Sequence, residues 1–217
     1  MRSGRTGAVG VLAELAPLAG SCRVLSRFVP FPDEPARVTI VDYQPGWPSE
    51  FDRIARQLRE ALGRAAIGVD HVGSTSVPGL AAKDCIDVQV RVVALDEGWT
   101  VSRMGSIGFR CRPEPWNRIE VSAGVASRKL VFAPPPGHRL CNIHVREQGG
   151  RGARFALLFR DYLRADESAR QAWGAFKKRL AASVPDLADY GQIKSPATDI
   201  LIQAAEMWAA ETGWTAN

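Results

Sequence analysis

The fold of this protein is indicated first by residues 71–92, which read HVGSTSVPGLAAKDCIDVQVRV. The first half of this segment combines glycines, a proline and three small hydroxyl residues. Glycine allows positive φ and a close approach of the backbone to a ligand. Backbone N–H groups and nearby hydroxyls can surround phosphate oxygens. The sequence therefore predicts a tight phosphate-binding turn, with these candidate residues: Gly73, Ser74, Thr75 and Ser76.

The second half of the segment predicts a half-buried strand over residues 85–92. Its apolar residues alternate with Asp87, Gln89 and Arg91, so the polar side chains share one face. A carboxylate at Asp87 can hold Mg²⁺ against a phosphate in the turn. Lys83 could add a positive charge there. A Walker phosphate loop is not present, because the pattern G-x-x-x-x-G-K-[ST] is missing.

The flanking sequence predicts an alternation of strands and helices. Residues 49–63 carry apolar residues at helical spacing, and Gly63 is placed to end that helix. Asp96 and Asp166 are predicted helix N-caps, and Ser195 followed by Pro196 is a predicted helix start. Further strands are predicted at 38–43, 67–72, 108–114, 128–133 and 140–146, and further helices at 96–107, 153–165, 167–182 and 196–211. This pattern indicates an α+β fold, a mixed β-sheet with packed helices and a helical C-terminal third.

Length and composition favour one cytoplasmic globular domain. The chain has 217 residues, of which 46% are hydrophobic and 24% charged, and this is typical of globular proteins. We expect residues 1–37 to be an N-terminal extension or linker and residues 38–212 to form the domain. No stretch approaches the roughly 18 consecutive apolar residues that span a bilayer. The four cysteines lie far apart in the sequence, which suits free thiols in a reducing compartment.

The net charge of +5 favours anionic partners in general. It does not indicate nucleic acid, because the basic residues are scattered along the chain. The densest basic cluster, residues 177–179, falls in a predicted surface helix, where a solvated charged face is the expected role. The favoured class of partner is therefore a phosphorylated small molecule that the predicted turn could bind.

Residues 71–92 closely resemble the signature of the GrpB-like family of uncharacterised proteins. Members of that family typically read H-[IV]-G-S-T-[SA]-[VI]-P-G-L, followed by a lysine and then by Ile-Asp. Residues 140–146, 157–165 and 189–194 resemble later motifs of the family, and the resemblance runs from about residue 38 to 210. The same domain occurs fused to dephospho-CoA kinases, but this chain has no kinase phosphate loop, so that activity does not carry over.

The resemblance implies a nucleotidyltransferase-like fold, with a nucleoside triphosphate and an unknown acceptor as partners. In that superfamily a Gly-Ser turn binds the triphosphate and a following strand carries Asp-x-Asp/Glu, whose carboxylates bind Mg²⁺. Gly73, Ser74 and Asp87 match this pattern. The second acidic position holds Gln89, and a neutral amide is a much poorer Mg²⁺ ligand than a carboxylate. The third acid is absent from its expected strand, where His144 faces outward instead, and Glu120 or Glu147 are the possible substitutes.

Other polar residues have two interpretations each. His71 is either a packed, hydrogen-bonded histidine at a strand end or a phosphate donor or base. His144 is a candidate base or metal ligand beside Asp87. Arg160 is a candidate anion ligand, with Arg164 one turn away, and the alternative is ion pairing with Asp161 or Asp166. Lys194 could reach a phosphate or remain a surface lysine.

The sequence leaves open an assembly or partner-binding role for the helical C-terminal third, and it leaves open two hypotheses for the site. The first is a metal-dependent, nucleotidyltransferase-like protein whose Asp87 and His144 are catalytic and whose Asp87 and Gln89 hold Mg²⁺. The second is a catalytically degenerate module that binds a nucleotide or phosphate without transferase activity. The sequence does not decide whether the protein is an enzyme.

Overall fold

The computed structural model describes residues 31–122 and 124–216 of the chain. The N-terminal extension predicted over residues 1–37, together with Cys22, therefore lies largely outside the described residues. Residues 31–37 form turns and one isolated bridge, from Arg37 to Asp186.

The core of the fold is a mixed sheet that comprises six strands within the described residues. The strands run in the spatial order β1-β2-β6-β5-β3, with β4 paired to β5. Their bounds are β1 Gly68–Val72, β2 Ile86–Val92, β3 Arg110–Cys111, β4 Ile119–Ser122, β5 Val125–Ala133 and β6 Cys141–Glu147. The β2–β6 pair is parallel, and the other neighbours are antiparallel.

The parallel pairing of β2 with β6 aligns the polar residues of both strands. Asp87 lies opposite Asn142, and Gln89 lies opposite His144. Because side chains alternate along a strand, these four residues share one face of the sheet. The opposite face carries fully buried residues such as Val88.

Five helices within the described chain cover the two faces of the sheet. They are α1 Trp47–Leu62, α2 Glu97–Ser106, α3 Arg151–Ala165, α4 Glu167–Ser183 and α5 Leu187–Thr212. Residues of α1 and α2, including Leu58 and Met104, pack with the apolar face of the sheet in one core. Helices α3, α4 and α5 form a second core around Leu158, Trp173 and Ala205. This second core also includes Val77 and Leu80, which follow the glycine–serine turn.

Several predicted helix boundaries are confirmed. Gly63 ends α1 with a φ of 55°. Asp96 accepts a hydrogen bond from the Trp99 N–H at 3.0 Å, and Asp166 accepts one from the Ala169 N–H at 2.8 Å. These contacts satisfy amide groups that a helix N-terminus would otherwise leave unpaired. The predicted helical C-terminal third is confirmed by α3 to α5.

The predicted strand at residues 38–43 is wrong. The β-branched sequence favours an extended chain, but among the described residues its backbone pairs with no neighbouring strand. Val38 donates to the Pro185 carbonyl, and Val41 exchanges hydrogen bonds with Ala82, which lies in a loop. A strand requires a continuous paired edge, and these isolated bridges do not supply one.

The predicted helix start at Ser195 and Pro196 is also wrong. Helix α5 begins at Leu187, and Pro196 lies inside it. The N-cap is Asp186, whose carboxylate accepts hydrogen bonds from the N–H groups of Ala188 and Asp189. A proline inside a helix removes one backbone hydrogen bond, and here the helix continues through it. The sequence analysis also missed β4.

In the part of the chain that the structure describes, none of the helices combines the length and the apolar character needed to cross a membrane.

Candidate functional site

The glycine–serine turn and Asp87 lie against each other. Gly73 has a φ of 68°, and a Cβ atom added to it would lie 2.5 Å from Asp87 Oδ2. Because real Cβ atoms do not approach an oxygen this closely, glycine is required both for its backbone conformation and for this contact. The structure therefore brings Gly73 and Asp87 into one site, on the polar face of the sheet.

The three hydroxyls of the turn have different roles. Ser76 Oγ donates to the Gly73 carbonyl at 2.6 Å, and Thr75 Oγ1 is hydrogen-bonded to His71 Nε2 at 3.0 Å. Both residues are buried and stabilise the turn. Ser74 is half-buried, and its Oγ accepts a hydrogen bond from Lys177 Nζ at 2.7 Å. Ser74 is therefore the hydroxyl of this turn that is placed to meet a ligand.

Lys177 is a site residue that the sequence analysis missed. It is only 3% exposed, and its Nζ also donates to the Ala81 carbonyl at 2.5 Å. The solvated role predicted for residues 177–179 is wrong at this position, while Lys178 and Arg179 are exposed. The signal was present in the helical spacing, because Lys177 shares the buried face of α4 with Trp173 and Leu180.

Burial sets the charge of Lys177. Desolvation, followed by the nearby positive charge of Lys194, lowers the pKa of Lys177 to about 7, although Asp87 opposes this shift and Lys83 adds to it. Within the described residues Lys177 has no carboxylate ion-pair partner. A buried amine without a counter-ion is costly to keep charged.

Lys83 and Lys194 complete a cluster of three lysines. Burial lowers the pKa of Lys194, and the charge of Lys83 lowers it further, while Asp87 raises it. Lys83 forms no ion pair with any residue that the structure describes. Three lysines therefore interact electrostatically with one carboxylate, Asp87. Among these four groups, potential positive charges outnumber the negative charge.

Asp87 is held as a carboxylate. Burial alone would raise its pKa, but His144, Asn142 and Lys83 together bring the pKa down to about 2. Asn142 Nδ2 donates to Asp87 Oδ1 at 3.1 Å, and His144 Nε2 lies 3.9 Å from the same oxygen. Burial lowers the pKa of His144, which favours a neutral ring at this position. The predicted proximity of His144 and Asp87 is thus present in the structure.

Gln89, the predicted second metal ligand, forms hydrogen bonds inside the protein through both ends of its amide group. Its side chain is fully buried, its Oε1 accepts from Arg146 Nη1 at 3.1 Å, and its Nε2 donates to the Ala153 carbonyl at 3.2 Å. A carbonyl oxygen already bonded to a guanidinium is a poor ligand for a cation. The geometry therefore removes Gln89 from the candidate metal ligands.

Glu120 and Glu147, the possible substitutes for the missing third acid, also form hydrogen bonds with other residues. Glu120 accepts two hydrogen bonds from Arg146, at 2.8 and 2.9 Å, and lies 3.4 Å from Lys129. Glu147 accepts a hydrogen bond from the Leu95 N–H at 2.9 Å. Neither residue substitutes for the missing acid.

The candidate anion ligand Arg160 contacts the residues next to the turn. Its guanidinium pairs with Asp161 at 2.7 Å and donates to the His71 carbonyl at 3.3 Å. Arg164 donates twice to the Ser76 carbonyl, at 3.1 and 2.7 Å. Pairing with Asp161, the alternative considered from the sequence, describes Arg160 in the structure.

His71 has the packed role that was one of its two interpretations. Its ring stacks on Phe51 with centroids 4.7 Å apart, and it is hydrogen-bonded to Thr75. Burial lowers the pKa of His71 to about 4, although the negative charge of Asp87 partly opposes this shift. The ring is therefore neutral at pH 7 and stabilises the turn through its hydrogen bond to Thr75.

The donor set does not fit the pair of Mg²⁺ ions that the family resemblance implies. The described residues contain no group of three or more histidine, cysteine, aspartate or glutamate side chains able to hold a metal ion. Asp87 offers one carboxylate, and Asn142 presents its NH₂ group to Asp87 while its Oδ1 accepts from Arg112 at 3.3 Å. The nearby lysines also act electrostatically on Asp87 or are acted on by it, and their positive charge disfavours a second cation.

A cavity of about 860 Å³ opens next to this site. Its lining includes Lys83 and Asn142, which belong to the site, and also Cys85, Arg37 and Gln192. Pockets that bind nucleotide-sized or drug-sized ligands have volumes of roughly 300–1,000 Å³. The cavity is therefore large enough for the part of a ligand that extends away from a phosphate at the turn.

Comparison with known proteins gives consistent matches. A family model described as "GrpB protein" matches residues 37–204. A UPF0157 protein of Halalkalibacterium halodurans is 38% identical over 149 residues, which are 67% of this chain and 70% of that protein. A protein named dephospho-CoA kinase in Mycolicibacterium paratuberculosis is 34% identical over 82% of this chain, and the match covers 48% of that protein. The chain thus spans about half the length of this kinase relative.

A solved structure gives the same result for the fold. The conserved protein GrpB from Enterococcus faecalis is 27% identical, with a TM-score of 0.65 over 82% of this chain and all of that one. This match confirms the predicted α+β fold class, a mixed sheet with packed helices.

Proposed function

This chain belongs to the GrpB family, and from that premise we propose that it binds a phosphorylated small molecule, such as a nucleoside triphosphate, at the Gly73–Ser74 turn. Lys83 and Lys194 would supply the positive charge, Lys177 would supply a buried hydrogen-bond donor, and Ser74 would supply a hydroxyl. Binding of such a ligand is common to both hypotheses, and the lysine-based site proposed here does not depend on a metal ion.

One observation carries the proposal: Lys177 is buried against Ser74 without a carboxylate partner among the described residues, beside two more lysines. Lys177 is buried and Lys83 and Lys194 are half-buried, so positive charge on these amines has lost part of its hydration, which is destabilising without a counter-ion. A phosphate dianion would neutralise the cluster and accept charge-assisted hydrogen bonds from it. The cost of the unliganded cluster therefore supports an anionic ligand.

The part of the ligand beyond its phosphate would lie in the cavity next to the site. A molecule whose phosphate contacts Lys83 would extend into the adjacent cavity, which Lys83 also lines. The names of the kinase relatives make dephospho-CoA one molecule worth testing, together with nucleoside triphosphates. We further propose a cytoplasmic location, which is supported by the free thiols of Cys85, Cys111 and Cys141.

Paired-metal nucleotidyl transfer is not part of this proposal. It requires at least two well-placed carboxylates to hold the ions that polarise the phosphate. Asp87 is one, while Gln89 and Glu120 are both bonded to Arg146. If a single Mg²⁺ enters with the ligand, Asp87 is the residue that would hold it and the ion would offset phosphate charge.

Calorimetric titration with ATP, UTP, dephospho-CoA and inorganic pyrophosphate tests the proposal, with each run in EDTA and in Mg²⁺. We expect saturable binding of at least one of these molecules in EDTA. We expect Lys83→Gln and Lys194→Gln to weaken it about 10-fold each. The matched control is Lys178→Gln, because Lys178 is an exposed lysine of α4 that pairs with Asp42.

The variant Asp87→Asn separates the two hypotheses. In a lysine-based site it removes a negative charge that repels the phosphate, so affinity is expected to stay equal or to rise. In a metal-based site the same variant removes the metal ligand, so affinity in Mg²⁺ would fall sharply. Absence of saturable binding for every molecule, or affinities that the lysine variants leave unchanged, would contradict the proposal.

A further inference from the structure

Ser74 and Lys177 have the geometry of a nucleophile and its base. Lys177 Nζ lies 2.7 Å from Ser74 Oγ, and the two residues are 103 positions apart in the sequence. A serine hydroxyl is a weak nucleophile unless an adjacent base accepts its proton, and a lysine amine can be that base when it is neutral.

The second hydrogen bond of Lys177 orients its amine. The Ala81 carbonyl accepts one N–H at 2.5 Å. A neutral amine has two N–H groups and one lone pair, so an amine anchored at Ala81 can direct its lone pair toward Ser74. The Ser74 O–H then donates to Lys177, which is the arrangement that activates the hydroxyl.

The surroundings of Lys177 favour its neutral form. Lys177 is 3% exposed, and the charged groups facing it are Lys194 from α5, Lys83 from the loop before β2, and Asp87 from β2. Two cations against one anion disfavour a third positive charge at this position. Burial and these neighbours lower the pKa of Lys177 to about 7, so a substantial fraction of molecules holds the free amine near neutral pH.

Among the hydroxyls of the turn, Ser74 is the one suited to react. Ser76 and Thr75 are buried and hydrogen-bonded to Gly73 and His71. Ser74 is half-buried and adjoins the lysine cluster.

We propose that Ser74 is a nucleophile, activated by Lys177, that accepts a nucleotidyl group from a nucleoside triphosphate bound in the lysine cluster. This inference rests on the proposed function, because the anion site must first hold the triphosphate. Ser74 Oγ forms a bond to the α-phosphorus, and the bond from that phosphorus to the bridging oxygen breaks. Pyrophosphate leaves with the bonding electrons, and Lys177 Nζ takes the hydroxyl proton.

The remaining lysines supply the electrostatic part of this step. Negative charge grows on the leaving pyrophosphate, and preorganised cations near that charge lower the barrier. Lys83 and Lys194 are the cations in position for this role. The product is a Ser74–nucleotide phosphodiester on the protein.

Mass spectrometry tests the inference. The full-length protein is incubated with ATP, GTP, CTP or UTP, and the intact mass and its peptides are measured, while calorimetry on the same samples reports binding. We expect one nucleotidyl group on Ser74 and none on Ser74→Ala. Lys177→Arg keeps a positive charge that cannot be lost near pH 7, so it is expected to lower the labelling rate by about 100-fold.

The pH dependence gives a readout that a structural role of Lys177 would not produce. The labelling rate of the unmodified protein is expected to rise as pH increases through about 7, since the amine must be neutral to accept the proton. Lys178→Arg changes an exposed neighbour on the same helix and is expected to label normally. Circular dichroism checks that each variant is folded.

Three outcomes would overturn the inference. One is saturable triphosphate binding without a covalent adduct, which would leave the proposed binding function in place. Another is an adduct on a residue other than Ser74, or one that forms equally fast in Lys177→Arg. The third is absence of both triphosphate binding and adduct, which would restrict the proposed function to phosphorylated ligands other than nucleoside triphosphates.

Discussion

Gly73 and Asp87 are in direct contact: a Cβ atom at residue 73 would lie 2.5 Å from Asp87 Oδ2 and 3.0 Å from Asp87 Cβ. The turn therefore cannot carry any side chain at this position without moving the carboxylate. Because Asp87 in turn is hydrogen-bonded to Asn142 on the neighbouring strand, the position of the turn is fixed relative to two strands of the sheet.

Gly73→Ala is expected to destabilise the protein by about 2–4 kcal/mol and to weaken anion binding. A φ of 68° costs a non-glycine residue roughly 1–3 kcal/mol, and the contact with Asp87 adds to this. Chemical denaturation measures the change in the free energy of unfolding. The control is Gly137→Ala, at a φ of 76° with nothing within 4 Å of the added Cβ. Equal losses in both variants would show that the contact with Asp87 has no energetic effect.

The stability of the protein is expected to rise with pH between about 7 and 10.5 because of Lys177. The pKa of Lys177 is about 7 in the folded state, against 10.5 in an unfolded chain, so the unfolded state binds more protons in this window. Lys177→Met should remove this dependence, which is worth a few kcal/mol. Denaturation at pH 6.5 and pH 9.5 measures it, with Lys178→Met as the control. A pH slope that persists in Lys177→Met would contradict the assignment.

Acid is expected to destabilise the protein through His71 between pH 6.5 and about 4. The folded state holds His71 neutral, with a pKa of about 4, whereas the unfolded state takes up a proton near pH 6.5. The free energy of unfolding therefore falls as pH falls through this window, by on the order of 2–3 kcal/mol. His71→Gln retains a group able to bond Thr75 but does not titrate, so it should flatten the curve. His138→Gln removes an exposed histidine and should leave the effect of His71 intact.

Arg146→Met is expected to destabilise the protein by about 3–5 kcal/mol, because it leaves Glu120 as a buried charge without its main partner. Arg146 and Glu120 are mostly buried, with side chains 11% and 14% exposed. The control pair is Arg154 and Glu206, with side chains 41% and 47% exposed, and Arg154→Met should cost less than about 1 kcal/mol. Similar losses for the two variants in urea denaturation would show that burial does not distinguish these pairs.

Much of the fold could be predicted from local sequence. The alternation of apolar and polar residues in β2 defined both its extent and its polar face, because side-chain direction in a strand depends only on position. Asp96, Asp166 and Gly63 marked helix ends through hydrogen bonds or backbone conformations that span a few residues. The segment at 38–43 was mispredicted because a β-branched run specifies an extended chain but not a strand to pair with.

The candidate site was only partly predictable. Gly73, Ser74 and Asp87 were identified from the sequence, and they are close together because the turn directly follows β1, whose last residue is paired with Asp87 of β2. Lys177 was not identified, although its helical spacing from Trp173 placed it on the buried face of α4. A basic residue within a charged run is usually solvated, and residues 177–179 were predicted to be solvated for this reason despite the helical spacing of Lys177.

The sequence by itself determined the turn, the strand that carries Asp87, the ends of most helices and the family to which the chain belongs. Only the tertiary structure decided which charges meet. Packing of α4 against the turn brings Lys177 to Ser74 across 103 positions, and the pairing of β2 with β6 brings Arg146 to Gln89 across 57 positions. Contacts over such separations depend on how the elements pack in three dimensions. Local patterns cannot encode them, because they describe only residues within a few turns of one another.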